Sequence, residues 1–360
     1  MATFGDIAKG FDYGMNAAAK SFDGNNKYIR ITDIDEVSSQ YLYDDVVSPD
    51  GELEDRYLVK ENDILLARTG ASTGKSYLYR NSDGKLYFAG FLIRANIYKH
   101  NSYFVFSQLH TLRYKKWISV MSARSGQPGI NSQEYASFPV YTTSLQEEDK
   151  IATFLKLLDE RIITQNKIIE DLKLLKSAIS LNVLHSDTWE QFKIKDIAQI
   201  GRGRVISSIE ISQQKNPTYP VYSSQTSNDG IMGYLDDYMF EGEYISWTTD
   251  GANAGTVFYR NGKFNCTNVC GLLKLIKGFD THFVSLVLAE ATKKYVSINL
   301  ANPKLMNNTM GNIQICLPKL EEQKRISIVF RVLQRLWTVH NSLLTEYIKQ
   351  KQYLLSQMFI

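Results

Sequence analysis

The sequence predicts an α+β protein: two α/β domains separated by two long helices that form an antiparallel coiled coil, with the halves of the chain related by a pseudo-two-fold internal repeat. Three observations predict this fold: a repeated segment, a heptad pattern in both copies of that segment, and short β-type runs elsewhere. The expected boundaries are 1–143 for the first domain, 144–184 for the first helix, 185–318 for the second domain and 319–360 for the second helix.

The internal repeat is clearest where the two long helices begin. Leu145-Gln-Glu-Glu-Asp-Lys-Ile151 is followed 175 residues later by Leu320-Glu-Glu-Gln-Lys-Arg-Ile326, and the match continues without a gap along the helical segments. Upstream, Gly70-Ala-Ser-Thr-Gly74 corresponds to Gly251-Ala-Asn-Ala-Gly255. The remainder of each half differs strongly, so two similar scaffolds are expected to carry two different surfaces.

Both repeated segments carry the a/d seam of a coiled coil, because apolar residues recur in alternating steps of four and three. Two polar seam positions fall at the same places in each copy, Gln165 and Lys176 in the first and His340 and Lys351 in the second. The apolar seam residues are Ile151, Leu155, Leu158, Ile162, Ile169 and Leu172 in the first copy and Ile326, Phe330, Leu333, Trp337, Leu344 and Tyr347 in the second.

The segment 145–182 contains neither proline nor glycine, and as a helix it would span roughly 55 Å at 1.5 Å per residue. A helix of that length must bury its seam on another long helix, and the matching seam belongs to the other copy. The second helix follows the second domain and has no third domain to reach, so we expect it to return along the first helix, which would make the pair antiparallel. The alternative is that each segment is an ordinary amphipathic helix packed on its own domain.

The two variable domains combine β-type runs with one helical stretch each, at 102–119 and 281–295, and Asp83-Gly84 and Asn261-Gly262 are typical of hairpin turns. Their loops hold side chains suited to DNA, although polar loops occur on every soluble protein. Arginine reads guanine edges, asparagine and glutamine read adenine edges, and lysine, serine and threonine hold phosphates. The candidate DNA contacts are Arg68, Thr69, Ser72, Lys75, Arg124 and Gln127 in the first domain and Arg202, Arg204, Ser223, Ser224, Gln225, Trp247, Thr248, Asn253 and Lys304 in the second.

Composition narrows the class of protein. A net charge of +3 is mild for a protein that holds a duplex alone, which leaves room for a partner that supplies further phosphate contacts. No apolar run is long enough to span a membrane and the N-terminus has no signal-peptide pattern, so a cytoplasmic protein without membrane association is expected. Cys266, Cys270 and Cys316 are expected to be reduced, the first two as buried thiols rather than half of a metal site, so no metal is expected.

Catalytic motifs are incomplete. Residues 70–76 resemble a phosphate-binding loop, but the gap between the glycines is one residue short and a strand pattern follows where a helix is needed. The five histidines form no cluster, and neither a Gly-x-Ser-x-Gly elbow nor the [Asp/Asn]-Pro-Pro-aromatic tetrad of amino-methyltransferases occurs. The chain is therefore expected to be non-catalytic.

The acidic helix starts at Leu145 and Leu320, the Gly-Ala-x-x-Gly element in each half and the 175-residue offset together resemble the specificity subunits of type I restriction-modification systems. The first helix start departs from the family pattern, because it lacks the proline that Pro318 supplies before the second. The resemblance implies that each domain reads half of a bipartite, asymmetric site in double-stranded DNA, while the coiled coil sets the gap and docks two methylation subunits. S-adenosylmethionine, ATP and magnesium are then expected on methylation and restriction subunits, with no cofactor on this chain.

Two other functions remain compatible with the sequence. A non-catalytic coiled-coil adaptor presenting two protein-binding domains would form assemblies on which DNA has no effect. A nucleotide-dependent enzyme using residues 70–76 would bind ATP, and Lys75→Ala would abolish that binding. DNA specificity is preferred because it accounts for the repeat, the shared seam and the two different sets of loops.

Overall fold

A computed structural model of the chain describes residues 1–123, 126–184, 188–297 and 302–359. The chain forms two compact units: unit 1 comprises Met1–Ile169 and His340–Ile360, and unit 2 comprises Glu170–Val339. Each unit contains one mixed domain and part of both long helices, so the predicted fold class is confirmed. None of the helices in the described ranges is long and apolar enough to cross a bilayer.

Unit 1 is built on a four-stranded sheet with strand order β2-β9-β6-β7, accompanied by the two-stranded pairs β1-β10, β3-β5 and β4-β8. Its strands are Ala2–Thr3 (β1), Ala8–Tyr13 (β2), Ala18–Ser21 (β3), Lys27–Ile29 (β4), Val47–Asp50 (β5), Asp63–Ala67 (β6), Ser76–Leu78 (β7), Leu86–Phe88 (β8), Leu92–Ile97 (β9) and Pro139–Val140 (β10). Its shorter helices are Phe4–Ile7 (α1), Ser102–Gln108 (α2), Leu112–Met121 (α3) and Ser132–Ala136 (α4).

Strand β6 is buried on both of its faces. Alternate side chains of a strand point to opposite sides of the sheet, and each side of β6 packs into a different core cluster. Ile64 and Leu66 pack with Leu155 in one core cluster, whereas Leu65 and Ala67 pack in another. The first cluster includes residues of both long helices, so the domain and the helix pair share one core within unit 1.

Unit 2 contains a six-stranded sheet with strand order β12-β17-β15-β16-β13-β14 and the pair β11-β18. Its strands are Glu190–Lys193 (β11), Ala198–Arg202 (β12), Tyr219–Tyr222 (β13), Ile231–Leu235 (β14), Phe240–Thr248 (β15), Val257–Cys266 (β16), Cys270–Leu275 (β17) and Gln314–Leu317 (β18). Its shorter helices are Ile194–Ile197 (α6), Ser208–Ser212 (α7), Thr281–Ala291 (α8) and Asn307–Asn312 (α9).

The repeated glycines make the same turn in both units, between β6 and β7 and between β15 and β16. Gly74 donates its backbone N–H to Ala67 (3.0 Å), and Gly255 donates to Thr248 (2.9 Å). All four glycines of the two Gly-Ala-x-x-Gly elements have φ between +73° and +93°, a region that residues with a Cβ rarely adopt. A strand follows each turn, as predicted, so neither element has the helix that a phosphate-binding loop requires.

The long helices, Leu145–Val183 (α5) and Leu320–Met358 (α10), have 39 residues each. In unit 1, Asp159 pairs with Lys351 (2.5 Å), while the later α5 residue Gln165 contacts the earlier α10 residue His340 (2.7 Å). The two helices therefore run antiparallel in unit 1. They also do so in unit 2, where Lys176 contacts Gln334 (3.3 Å) and the later α5 residue Val183 packs with the cluster of the earlier α10 residue Ile326. Gln165 and His340 are the repeat-equivalent polar seam residues, so the seam places them against each other.

The apolar seam residues are sequestered along both helices. Six of them, which the domain cores or the partner helix cover almost completely, are at most 9% exposed: Leu155, Leu158, Ile169, Ile326, Phe330 and Leu333. The other six are half-buried: Ile151, Ile162, Leu172, Trp337, Leu344 and Tyr347.

Neither predicted hairpin turn forms. Asn261 and Gly262 lie inside β16, where Gly262 faces Gly242 of β15, and both glycines have positive φ. This glycine pair continues the ladder where the sequence suggested a turn. Asp83 instead accepts hydrogen bonds from the hydroxyls of Tyr77 (2.5 Å) and Tyr43 (2.7 Å), and the strands on either side of it pair with different partners.

Candidate nucleic-acid interface

In unit 1, three loops meet around the end of β6. Arg68 donates its backbone N–H to Phe91 (3.1 Å), Gly70 donates to Pro128 (2.9 Å), and Ile130 donates to Arg68 (2.9 Å). These bonds fix the loop after β6 between the turn before β9 and the segment 126–131. These three backbone hydrogen bonds join the loops to one another, so the side chains that the loops carry are held on a rigid base.

Arg68 is oriented by its neighbours before any ligand binds. Its Nε donates to the carbonyl oxygen of Gly90 (3.0 Å), and its guanidinium carbon lies 5.0 Å from the ring centre of Tyr13 and 5.9 Å from that of Phe91. Guanidinium groups carry five N–H donors, so this arrangement leaves donors for a guanine edge or a phosphate. Phe91 is 60% exposed and Tyr13 is 42% exposed.

We name Tyr13, Arg68, Thr69, Phe91 and Gln127 the aromatic-arginine surface. Three of these residues were candidate contacts, and the structure brings them together. Tyr13 and Phe91 were missed, although an exposed aromatic residue beside a glycine turn was the available signal. An arginine beside exposed aromatic rings suits duplex DNA because the guanidinium can contact a guanine edge or a phosphate and a ring can contact a thymine methyl group.

The remaining candidates of the first domain lie elsewhere. Ser72 is half-buried in the turn after Gly70. Lys75 lines a separate cleft of about 530 Å³, together with Arg80 and His110. Arg124 lies outside the described residues. The aromatic-arginine surface therefore holds only part of the predicted set.

In unit 2, the arginine candidates are held by other residues. Arg202 donates through Nε to Asn307 (2.8 Å), and Arg204 forms a two-contact ion pair with Glu210. The exposed residue Lys304 pairs through its backbone with Asp250, just as Gly129 pairs with Thr69 in unit 1. Asn253 is exposed in the turn between β15 and β16.

Trp247 and Thr248 are corrections to the predicted set, because their exposed fractions are 0% and 1%. Trp247 donates its indole N–H to the carbonyl oxygen of Leu305 (2.9 Å), and the Thr248 hydroxyl donates to that of Asn253. The end of β15 is enclosed by β17 and by the chain at Leu305. A side chain without exposed surface has no access to a duplex, so both belong to the core.

Ser223, Ser224 and Gln225 begin the loop that connects β13 to β14. Ser223 donates its backbone N–H to Gly230 (2.9 Å), which closes the loop, and the Gln225 side-chain amide donates to Ile231. All three side chains are half-buried. The exposed positions of this loop are Thr226, Ser227, Asn228 and Asp229, and of these only Asn228 was suggested by the sequence.

The cysteines differ from expectation. Cys266 and Cys270 are both buried, as predicted, but they are joined as a disulfide rather than reduced. Cys316 is a free thiol. In the part of the chain that the structure describes, no group of three or more histidine, cysteine, aspartate or glutamate side chains could hold a metal ion.

Each long helix also presents an exposed apolar pair near its beginning. Phe154 and Leu157 of α5 are 51% and 57% exposed, and Val329 and Val332 of α10 are 44% and 51% exposed. The second pair follows the first at the repeat offset, so the two pairs are equivalent positions. Apolar side chains left uncovered next to each other on a surface are typical of interaction sites.

Comparison with known families gives one match that covers most of the chain. The profile described as the type I restriction modification DNA specificity domain matches twice, over residues 4–174 and 186–349. A putative type I specificity subunit of Mycoplasma pneumoniae is 37% identical over 205 residues, which are 56% of this chain and 85% of that protein. The specificity subunit of the type I restriction enzyme MpnII from the same organism is 43% identical over 150 residues, which are 41% of this chain and 44% of that subunit.

Among solved structures, the S subunit of a type I restriction-modification system from M. genitalium has a similar fold. The TM-score is 0.75 at 14% sequence identity, and the alignment covers 99% of this chain and 95% of that chain. At this level of identity the likeness concerns the fold alone.

Proposed function

This chain belongs to the type I restriction modification DNA specificity family, and on that premise we propose that each of its two domains reads one half of a bipartite, asymmetric site in double-stranded DNA. One observation carries the proposal: the two units share a loop framework but differ in the side chains on it. Arg68 follows β6 and Thr249 follows β15, and the two occupy equivalent positions. Each donates its backbone N–H to the residue before the strand that pairs with its own strand: Phe91 before β9 (3.1 Å) and Val269 before β17 (3.2 Å).

The second framework bond is equally well matched. Gly70 donates to Pro128 (2.9 Å) and Gly251 donates to Pro303 (3.0 Å). On this common base, unit 1 presents an arginine where unit 2 has a buried threonine. The arginine of unit 1 can contact a base edge whereas the buried threonine of unit 2 cannot, so the two half-sites are expected to differ in sequence.

We further propose that two methylation subunits dock on this chain, one at the Phe154–Leu157 pair and one at the Val329–Val332 pair. The repeat equivalence of these pairs supports two copies of one partner. The chain itself is non-catalytic in this proposal: the methylation subunits carry S-adenosylmethionine and methylate adenine, and restriction subunits use ATP and magnesium. We place the complex in the cytoplasm, where bacterial DNA is found.

The antiparallel helix pair is proposed to set the gap between the half-sites. One heptad inserted after Gln165 and a second inserted before His340 preserve the seam and lengthen each helix by about 10 Å. The permitted gap is then expected to grow by up to about three base pairs, taking 3.4 Å per base pair. Single-molecule sequencing of methylated DNA measures the gap, and an unchanged gap would refute the role of the helices as a ruler.

Arg68 is expected to contribute discrimination in only one half-site. Arg68→Ala should cost about 1–3 kcal/mol of discrimination at one base pair, because a bidentate arginine contact supplies that much. The matched control is Arg56→Ala, which removes an exposed arginine of the same unit whose partner is Glu54. Methylation rates on duplexes with single base changes report the effect, and equal behaviour of the two variants would exclude Arg68 from base reading.

The proposed function is tested by co-expressing the chain with a methylation subunit from the same genome and mapping N6-methyladenine by single-molecule sequencing. A split, asymmetric motif with one methylated adenine in each half is expected. If an assembled complex leaves DNA methylation at background, the chain acts as a protein-binding adaptor instead.

A further inference from the structure

The hairpin formed by β13 and β14 distinguishes the two units. It extends the unit 2 sheet to six strands, whereas the main sheet described for unit 1 has four. Its tip, residues 223–230, carries exposed hydroxyl and amide groups at Thr226, Ser227 and Asn228. A domain-specific loop with such groups is suited to base edges, which are read by hydrogen bonds.

The backbone of this loop adopts an unfavourable conformation. Asn228 has φ +49°, Asp229 has φ +53° and Gly230 has φ +81°, so three consecutive residues lie in the left-handed region. Asparagine and aspartate tolerate that region better than other residues with a Cβ, although still at a cost. A neighbouring group that binds the loop offsets this cost and favours one conformation.

Arg260 of β16 is that neighbour. Its side chain is 2% exposed, and its Nη1 donates to the Asp229 carboxylate at 2.9 Å. Its Nε donates to the Ser246 hydroxyl (3.0 Å), and its guanidinium carbon lies 3.6 Å from the ring centre of Tyr222 and 4.4 Å from that of Phe258. The sheet fixes the guanidinium, and the guanidinium in turn fixes the tip of the loop.

The pairing also affects how the loop meets DNA. Asp229 supplies the acidic side chain of residues 223–230, and 68% of that side chain is exposed. An unpaired carboxylate would repel the phosphate backbone, whereas one paired with a buried guanidinium is neutralised. The same contact therefore sets the conformation of the loop and masks its charge.

We propose that Arg260 is a specificity-determining positioning residue, which holds the 223–230 loop in the conformation that reads the second half-site without touching DNA itself. This inference rests on the proposed function. Loss of the contact should broaden the sequences accepted in the second half-site and leave the first half-site unaffected.

The test uses the complete complex with its methylation subunits and three variants: Asp229→Asn, Arg260→Gln and Arg260→Lys. Methylation kinetics are measured on duplexes that carry a base change in either half-site. Asp229→Asn and Arg260→Gln should reduce discrimination in the second half-site at least tenfold. They should raise KM for the intact site without changing kcat, and first-half discrimination should stay at the wild-type value. Arg260→Lys retains the charge and should preserve part of the discrimination.

Glu290→Gln is the matched control, because it removes an exposed carboxylate of unit 2 that pairs with Lys293 (2.7 Å).

Each outcome decides the matter. If the wild-type complex methylates no bipartite motif, the proposed function fails and this inference fails with it. If the wild type is selective and Asp229→Asn keeps full second-half discrimination, the positioning role is overturned while the function stands. Equal losses in both half-sites, or loss of the thermal unfolding transition in Asp229→Asn as well as in Arg260→Gln, would assign Arg260 a general structural role and also overturn the proposal.

Discussion

Phe330→Ala should lower the free energy of unfolding by about 3–5 kcal/mol, the range for a phenylalanine removed from a packed core. Phe330 is 1% exposed and packs in the same cluster as Ile326 and Phe283. Its repeat equivalent in unit 1 is Leu155, which is 0% exposed, so Leu155→Ala should cost about 2–5 kcal/mol. Urea unfolding followed by tryptophan fluorescence measures both effects, since Trp247 lies in the same core cluster as Phe330 and Trp117 packs against the cluster that contains Leu155.

The control is the adjacent residue. Val329 is 44% exposed, and Val329→Ala should change the free energy of unfolding by less than about 0.5 kcal/mol. Equal effects of Phe330→Ala and Val329→Ala would mean that the seam of α10 is not the face buried against the domain. The heptad assignment would then be wrong.

Disruption of the two exposed apolar pairs should change the number of methylation subunits bound. Phe154→Asp combined with Leu157→Asp should remove one subunit, and Val329→Asp combined with Val332→Asp should remove the other. The quadruple variant should bind neither, because a buried unpaired carboxylate in an apolar interface costs several kcal/mol. Native mass spectrometry of the co-expressed complex counts the subunits directly.

The matched control carries the same charge change at the same spacing on another part of α5. Thr164→Asp combined with Lys167→Gln changes two exposed residues three positions apart and makes the chain more negative by the same two charges, and two subunits should remain bound. Retention of both subunits by the quadruple variant would place the docking surfaces elsewhere on the chain.

The helices and the glycine turns were predictable because their signals are local and repeated. A seam that recurs at the same offset in two copies predicts both helices and predicts that they pack on each other. The position of Gln165 opposite His340 follows from the same pattern. The positive φ values of the paired glycines follow from a turn that joins adjacent strands.

The sites that depend on long-range packing were not predictable. Trp247 sits beside polar loop residues in sequence, and its burial comes from β17 and the chain at Leu305, which are distant in sequence. Arg260 is a charged residue in a strand, and such residues are usually exposed. Nothing in the sequence therefore indicates that it is buried under the 223–230 loop. Asn261-Gly262 is a common turn pair, yet it lies in a strand because Gly242 faces it.

The most direct test of the central claim is an exchange of one reading domain. Residues 1–143 are replaced by the corresponding domain of a related subunit with a known motif, and the hybrid is co-expressed with its methylation subunit. N6-methyladenine is then mapped by single-molecule sequencing. If each domain reads one half-site, one half of the motif changes to that of the donor while the other half and the gap stay the same. A hybrid complex whose motif is unchanged, or changes in both halves, would contradict the account.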